Sequence, residues 1–157
     1  MALQKLSIVI PVFNEATTVT ELLQNVWSQA LPGGLKKEMI IVESNSSDDT
    51  RKLVEHFASA HPPTSENSVK VLLEESPQGK GHAVRFGLRH ITGEIVLIQD
   101  GDLEYDVADY PLLLEPILEN HADFVLGSRH LSAGGWKIRK FEGSPFKAAL
   151  RNFGGVF

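Results

Sequence analysis

The chain has 157 residues, 42% of them apolar and 22% charged, and a formal net charge of -5; this composition suits one soluble globular domain with a real core and excludes wholesale disorder. It contains no cysteine, which excludes disulfides, a thiolate nucleophile and any cysteine-ligated zinc or iron-sulfur centre. Met1-Ala2-Leu3-Gln4-Lys5 lacks the basic-then-apolar order of a secretory signal, and no apolar run approaches the roughly 20 residues that cross a bilayer, so the expectation is a cytoplasmic chain without a membrane span.

Leu6 to Phe13 is a β-rich apolar run ending in the polar pair Asn14-Glu15, which predicts a buried strand that delivers a loop at its carboxyl end. A helix follows, with Val19, Leu22, Leu23, Val26 and Trp27 on one face and Thr18 and Glu21 at capping-box spacing; Pro32-Gly33-Gly34 stops it. Met39 to Val42 reads as a second strand, running into Glu43-Ser44-Asn45-Ser46-Ser47-Asp48-Asp49-Thr50, whose Ser and Asp residues are good caps for a helix bearing Leu53, Val54 and Phe57. Val69 to Leu73 is a third strand. Gly79-Lys80-Gly81 turns into a helix carrying Val84, Gly87, Leu88 and Ile91, and Ile95 to Ile98 is a fourth strand that runs into Gln99-Asp100-Gly101-Asp102. Tyr110 to Asn120 is helical in pattern, with Pro116 as a kink or restart, and Phe124 to Gly127 is a short fifth strand. Strands alternating with amphipathic helices predict an α/β domain with a mostly parallel sheet covered by helices on both faces. Ligands of such sheets sit beyond the carboxyl ends of the strands, and every polar cluster with chemical promise falls at one of those ends.

The sharpest cluster is Asp100-Gly101-Asp102-Leu103-Glu104-Tyr105-Asp106, four carboxylates in seven residues after a buried strand. Such crowding is costly unless a cation relieves it, and hard carboxylate oxygens favour Mg²⁺ or Mn²⁺ completed by phosphate oxygens. The plainer reading is an acidic solvated turn; placement at the end of a strand favours the metal, while Asp106 and Asp109 fit helix capping better. Gly79-Lys80-Gly81 brings backbone amides and an ammonium towards an anion but lacks the spacing of a phosphate loop. Glu43 stands where an acid accepts hydrogen bonds from a base or ribose, or else caps its own turn with Ser44 and Ser46. Arg129 can hold phosphate bidentately, or be an ordinary surface residue. Phe13 has the alternatives of facing a base and packing in the core. His82 and His130 flank these segments without metal-ligand spacing.

Taken together, Pro11-Val12-Phe13-Asn14-Glu15, Glu43 to Thr50, Gly79-Lys80-Gly81, Asp100-Gly101-Asp102 and Gly127-Ser128-Arg129 resemble the ordered motifs of family 2 glycosyltransferases with the Rossmann-like GT-A fold, above all the branch of dolichol-phosphate mannose synthases and polyprenyl-phosphate glycosyltransferases. The resemblance covers residues 6 to 130. It implies an inverting, metal-dependent transfer of a hexose from a GDP- or UDP-sugar to a polyprenyl or dolichyl phosphate or a glycan. It also implies that Pro11, Phe13, Glu15, Glu43, Ser46, Asp48, Lys80, Gly101 and Arg129 bind the nucleotide sugar. Asp100, Asp102 and Glu104 would hold Mg²⁺ or Mn²⁺, and Asp100, Asp102 and Arg129 would form the catalytic set. Where the family often carries two acids after the second strand, this chain has Glu43-Ser44.

Other α/β enzymes fit less well. A nucleotidyltransferase needs a Gly-rich basic loop where Asn14-Glu15-Ala16 stands, a phospho-accepting receiver needs paired acids there, and a Rossmann dehydrogenase needs the glycine fingerprint. From Arg129 onward six basic residues face one acid, Glu142, a balance of +5 against -10 for the first 128 residues. The expected organisation is a nucleotide-sugar-binding core over residues 1–130. Residues 131–157 then form a basic and aromatic segment at the start of an acceptor-side region, as though the fold were cut there. In that segment Lys137, Arg139, Lys140, Trp136, Phe141 and Phe146 suit an anionic acceptor or peripheral contact at the inner membrane face; an exposed loop is the other reading. An acidic domain without a recognised module argues against nucleic acid. A donor-binding domain with impaired transfer is the alternative function.

Overall fold

The first apolar run forms β1 (Lys5–Val12), in a computed structural model that describes residues 4–127. The chain continues through α1 (Val19–Ser28), a 3-10 turn at Pro32–Gly34, β2 (Lys36–Glu43), α2 (Thr50–Ala60), β3 (Asn67–Leu73), α3 (Lys80–Leu88), β4 (Ile95–Ile98), a second 3-10 turn at Val107–Asp109 and α4 (Tyr110–Leu118). The four strands are all parallel, in the order β3-β2-β1-β4. Ile8 of β1 stands opposite Met39 of β2 on one side and Leu97 of β4 on the other. The chain lays β2 and β3 to one side of β1 and then crosses back to place β4 on the other. The carboxyl ends of β1 and β4 therefore flank a topological switch point, where an open α/β sheet leaves a crevice.

Period-two alternation assigns the two faces. Leu6, Ile8, Ile10 and Val12 of β1 pack with Met39 and Ile41 against Val19, Leu22, Leu23 and Val26 of α1, Val54 and Phe57 of α2, and Tyr110 and Leu114 of α4. Val9, Ile40, Val42 and Leu72 face the other way, onto Ala83 of α3. Each fully buried aliphatic side chain contributes on the order of 1.5–3 kcal/mol, and β1 and β2 form the centre of the core, with the helices supplying much of the rest. Helix α3 lies close on the sheet: a Cβ at Gly87 would come within 2.5 Å of Val9 Cγ1 and 3.1 Å of Val42 Cγ2.

Several expectations are revised. Strand β2 begins at Lys36, three residues before the apolar run, and the polar Lys37 and Glu38 within it are buried with partners. The Lys37 ammonium donates to the carbonyls of Val26, Trp27 and Gln29 at 2.7, 2.9 and 2.6 Å, closing the carboxyl end of α1. Glu38 accepts from Ser7 Oγ at 2.6 Å and from the amide and hydroxyl of Thr92, both at 2.8 Å. Thr18 makes no capping bond to α1; its hydroxyl donates instead to Glu15 Oε2 at 3.1 Å. Pro116 lies inside α4, which runs on to Leu118. The expected fifth strand does not form: residues 124–127 have no ladder partner among the described residues, and Phe124 and Leu126 are exposed. A strand exists only against a neighbouring edge, and an apolar run cannot supply one.

Candidate functional site at the β1/β4 switch point

Two loops are knitted together beyond the ends of β1 and β2. Asn14 and Asn45 both take the left-handed conformation, each with φ 56°, a geometry that Asn tolerates better than most residues. The amide of Asn14 donates to Ser46 Oγ at 3.0 Å, that of Glu15 to Thr50 Oγ1 at 2.8 Å and that of Ala16 to Asp48 Oδ2 at 3.2 Å. In return Asn14 Oδ1 accepts from the Ser47 amide at 2.9 Å. Asp48 Oδ1 also accepts from the amide of Thr50 at 3.0 Å, starting α2. Ser46 and Asp48, expected at the nucleotide, thus spend polar atoms on the backbone that presents Phe13, Asn14 and Glu15. The Phe13 ring is 45% exposed, which decides its alternatives against the core. Pro11 is half-buried beside it.

Glu43 requires a correction. It is fully buried; its Oε1 accepts from the Ser46 amide at 2.6 Å, and its Oε2 from the Asn45 amide at 3.2 Å and from Arg51 Nε at 2.6 Å. Burial penalises the charged carboxyl, but the bonds from Ser46 and the pairing with Arg51 outweigh it and hold the pKa below the ordinary value. The carboxylate expected to face a base is buried and bonded inside the loop, so Glu43 supports that loop from beneath. Sequence reasoning named Ser44, Ser46 and His82 but did not single out Arg51 or Glu74. Arg51 Nη2 reaches the carbonyl of Glu74 at 3.3 Å. Buried Glu74 accepts from Ser44 Oγ at 2.6 Å and meets His82 Nδ1 at 2.5 Å. These partners lie eight or more positions apart in sequence; the parallel pairing of β2 with β3 brings Glu74 to Ser44, and the starts of α2 and α3 bring Arg51 and His82 to it. The spacing of Ser44, where the family often has an acid, was the available signal.

Across the crevice, the loop after β4 seats tightly on β1. A Cβ at Gly101 would approach Val12 Cγ1, the Pro11 carbonyl and Glu15 Cγ at 3.0, 3.1 and 3.3 Å. Thr18 Oγ1 lies 3.4 Å from the Gly101 carbonyl. Beneath it, the buried Tyr110 hydroxyl donates to Gln99 Oε1 at 2.9 Å. Asp102 Oδ1 accepts from the Glu104 amide at 3.1 Å, and Asp106 caps the following turn through the Ala108 amide at 2.9 Å, as expected, whereas Asp109 stands before α4 without a side-chain capping bond. Lys80, the first residue of α3, pairs its ammonium with Asp100 Oδ1. Gly79 before it has φ 87°, a backbone conformation that a side chain would strain. The clustered charge is felt at Glu15: burial raises its pKa, the charges of Asp102, Asp48 and Asp100 push the same way, and a bond from Thr18 opposes them.

Hard carboxylate oxygens beside an ammonium and a helix amino terminus suit a divalent ion shared with a phosphate group. Among the described residues no three His, Asp or Glu side chains converge on a common metal-binding point; Asp100 and Asp102 stand two positions apart in the loop after β4. Glu104, the third expected ligand, lies in the same loop. Arg129 and His130 lie outside the described residues, as does the segment from 131 to 157. A polar depression of about 460 Å³ occurs at the opposite end of the sheet, lined in part by Lys5, Lys36, Glu66 and Glu94; its mixed charges converge on no common point of chemistry. No helix among the described residues is long and apolar enough to cross a membrane.

A dolichol-phosphate mannosyltransferase of Pyrococcus furiosus is 30% identical over 152 residues, 97% of this chain and 39% of the relative. An undecaprenyl-phosphate 4-deoxy-4-formamido-L-arabinose transferase of Klebsiella pneumoniae is 30% identical over 118 residues, 75% of this chain and 35% of the relative. The chain thus spans well under half the length of these relatives. Among solved structures, a mannosyltransferase from Pyrobaculum calidifontis in complex with GDP-Man and Mn²⁺ superposes with a TM-score of 0.57 at 33% identity, covering 67% of this chain and 29% of that one. The sheet and helices are those of the GT-A fold. The family model for glycosyl transferase family 2 matches residues 7–154, and the chain belongs to that family.

Proposed function

We propose that this chain is the donor-binding part of a metal-dependent, inverting hexosyltransferase that uses a GDP- or UDP-sugar and delivers the sugar to a polyprenyl phosphate. The observation that carries the reading is the pairing of Lys80 with Asp100 at the β1/β4 switch point, in the loop that also carries Asp102. Asp100 and Asp102, with Glu104 beside them, would hold Mg²⁺ or Mn²⁺. Bound there, the ion supplies Lewis-acid neutralisation of the leaving nucleoside diphosphate. The Lys80 ammonium adds a second positive charge for the diphosphate at the start of α3. The exposed Phe13 ring, with Pro11 and Glu15, offers a surface for the nucleoside, on a backbone held by Ser46, Asp48 and Thr50. Arg129 would complete the phosphate contacts. A phosphate acceptor is anionic near neutral pH and needs no general base, whereas a glycan hydroxyl would need one. The lipid-phosphate acceptor is supported by the two relatives, and a metal with a guanosine donor by the mannosyltransferase complex. The two-part organisation, with residues 131–157 contacting acceptor or membrane surface, belongs to the same proposal, as does peripheral membrane association.

The test is calorimetry of GDP and UDP with and without Mn²⁺, followed by transfer from labelled nucleotide sugars to a polyprenyl phosphate. Nucleoside diphosphate binding is expected to need the ion and to weaken about tenfold or more in Asp102→Asn. Metal-independent binding, or full binding by the variant, overturns the metal assignment. Binding without transfer identifies a donor-binding domain alone.

A further inference from the structure

We infer that Lys80 is an internal counter-cation for Asp100 that a divalent ion must displace, so that ion and nucleoside diphosphate load together rather than ion first. The inference rests on the donor-site reading above and deepens it. The Asp100 side chain is 21% exposed and directly paired with the Lys80 ammonium. A carboxylate with most of its water removed, in a loop that also carries Asp102 and Glu104, requires compensating charge. The pair is not needed to hold the loop. The Gln99 amide already bonds the Val9 carbonyl at 3.0 Å, and Gly101 is wedged against Val12, Pro11 and Glu15.

The lysine is built to leave. Its side chain is 60% exposed, Gly79 before it has open space around its Cα, and Gly81 after it meets only the end of the Arg85 side chain, at 3.7 Å. A long, exposed ammonium in such surroundings releases a partner at small cost. Among the described residues, Arg51 is paired with Glu43 and Lys52 with Asp49, while the Arg85 guanidinium lies near Gly81.

An ion arriving alone must therefore break the Lys80–Asp100 pair and leave the ammonium without its partner. An ion arriving with a diphosphate gives the ammonium a new anion at the moment the carboxylate is taken. The two ligands then raise each other's affinity by the same factor, as linkage requires. The device keeps Asp100 paired between turnovers without committing it to a free metal ion.

The experiment titrates Mn²⁺ against the 157-residue chain, free ion read by electron paramagnetic resonance, with and without saturating GDP or UDP. Lys80→Met is expected to bind Mn²⁺ alone roughly two- to fivefold more tightly than the wild type, the scale of losing one partly exposed ion pair. Nucleotide should enhance its Mn²⁺ affinity less than it enhances that of the wild type. Lys80→Arg, which keeps the charge, should behave as the wild type, and thermal unfolding checks that each variant folds. In an Asp100→Asn background, Lys80→Met should change nothing. Unchanged Mn²⁺ affinity in Lys80→Met, while Asp100→Asn weakens it, overturns the inference and leaves the donor-site reading standing; so does equal tightening in the Asp100→Asn background, which would report only a diffuse field. Mn²⁺ binding indifferent to Asp100 with and without nucleotide overturns both.

Discussion

Gly101 shows how much a site of this kind depends on one missing methyl. Its α-carbon sits where a Cβ would press on Val12, the Pro11 carbonyl and Glu15 at 3.0 to 3.3 Å, so Gly101→Ala must push the β4 loop away from β1. The expected cost is about 1–3 kcal/mol of unfolding free energy, read in urea denaturation, together with weaker Mn²⁺-dependent nucleotide binding. A variant that loses neither would show that the loop shifts freely. The identity of Gly101 and of its flanking carboxylates was legible in the sequence, because a polar cluster after an apolar strand has few structural uses. The orientation of Glu43 was not. A carboxylate at a strand end reads the same whether it faces a ligand or its own loop, and the choice was made by Arg51, eight positions further along.

At the scale of elements, the runs Leu6 to Phe13 and Met39 to Val42 announced strands because two-sided burial leaves near-continuous apolar sequence. The first residues of β2 gave no such signal, since Lys37 and Glu38 are buried polar groups whose partners lie on α1, β1 and the turn before β4. Lys37 closes the end of α1 with three donors to carbonyls, and burial lowers its pKa to about 8. Lys37→Met leaves those carbonyls without that donor and is expected to cost about 2–4 kcal/mol, measured by thermal or urea unfolding. Hydrogen exchange should then open first at the carboxyl end of α1. Protection that stays uniform along α1 would contradict the role assigned to Lys37. The failed fifth strand carries the complementary lesson: β propensity at residues 124–127 was present, and a partner edge among the described residues was not.

For the molecule as a whole, the alternation of strands and helices disclosed a parallel sheet, but only the three-dimensional pairing fixed the order β3-β2-β1-β4 and hence the position of the crevice. That sheet carries buried carboxylates with a pH signature. Burial disfavours the charged forms of Glu38 and Glu43, but hydrogen bonds from Ser7 and Thr92 to one, and from Ser46 and Arg51 to the other, hold both pKa values below the ordinary 4.5. A carboxyl whose folded pKa is depressed stabilises the fold above its unfolded pKa and loses that contribution as pH falls through the folded value. Urea midpoints, as far as these two groups govern them, should therefore hold level from neutral pH down to about 5 and then drop. Glu38→Gln should be less stable at pH 7 and show a shallower acid drop; a parallel curve would refute the assignment. The close seating of α3 at Gly87 has a consequence of another kind. The helix rises about 1.5 Å per residue, so the seven steps from Gly87 back to Lys80 make a strut of fixed length and phase, clamped at one end by Val9 and Val42. The reach of the ammonium towards the acidic loop is thereby set two turns away, in the hydrocarbon interior, by a residue that touches no ligand.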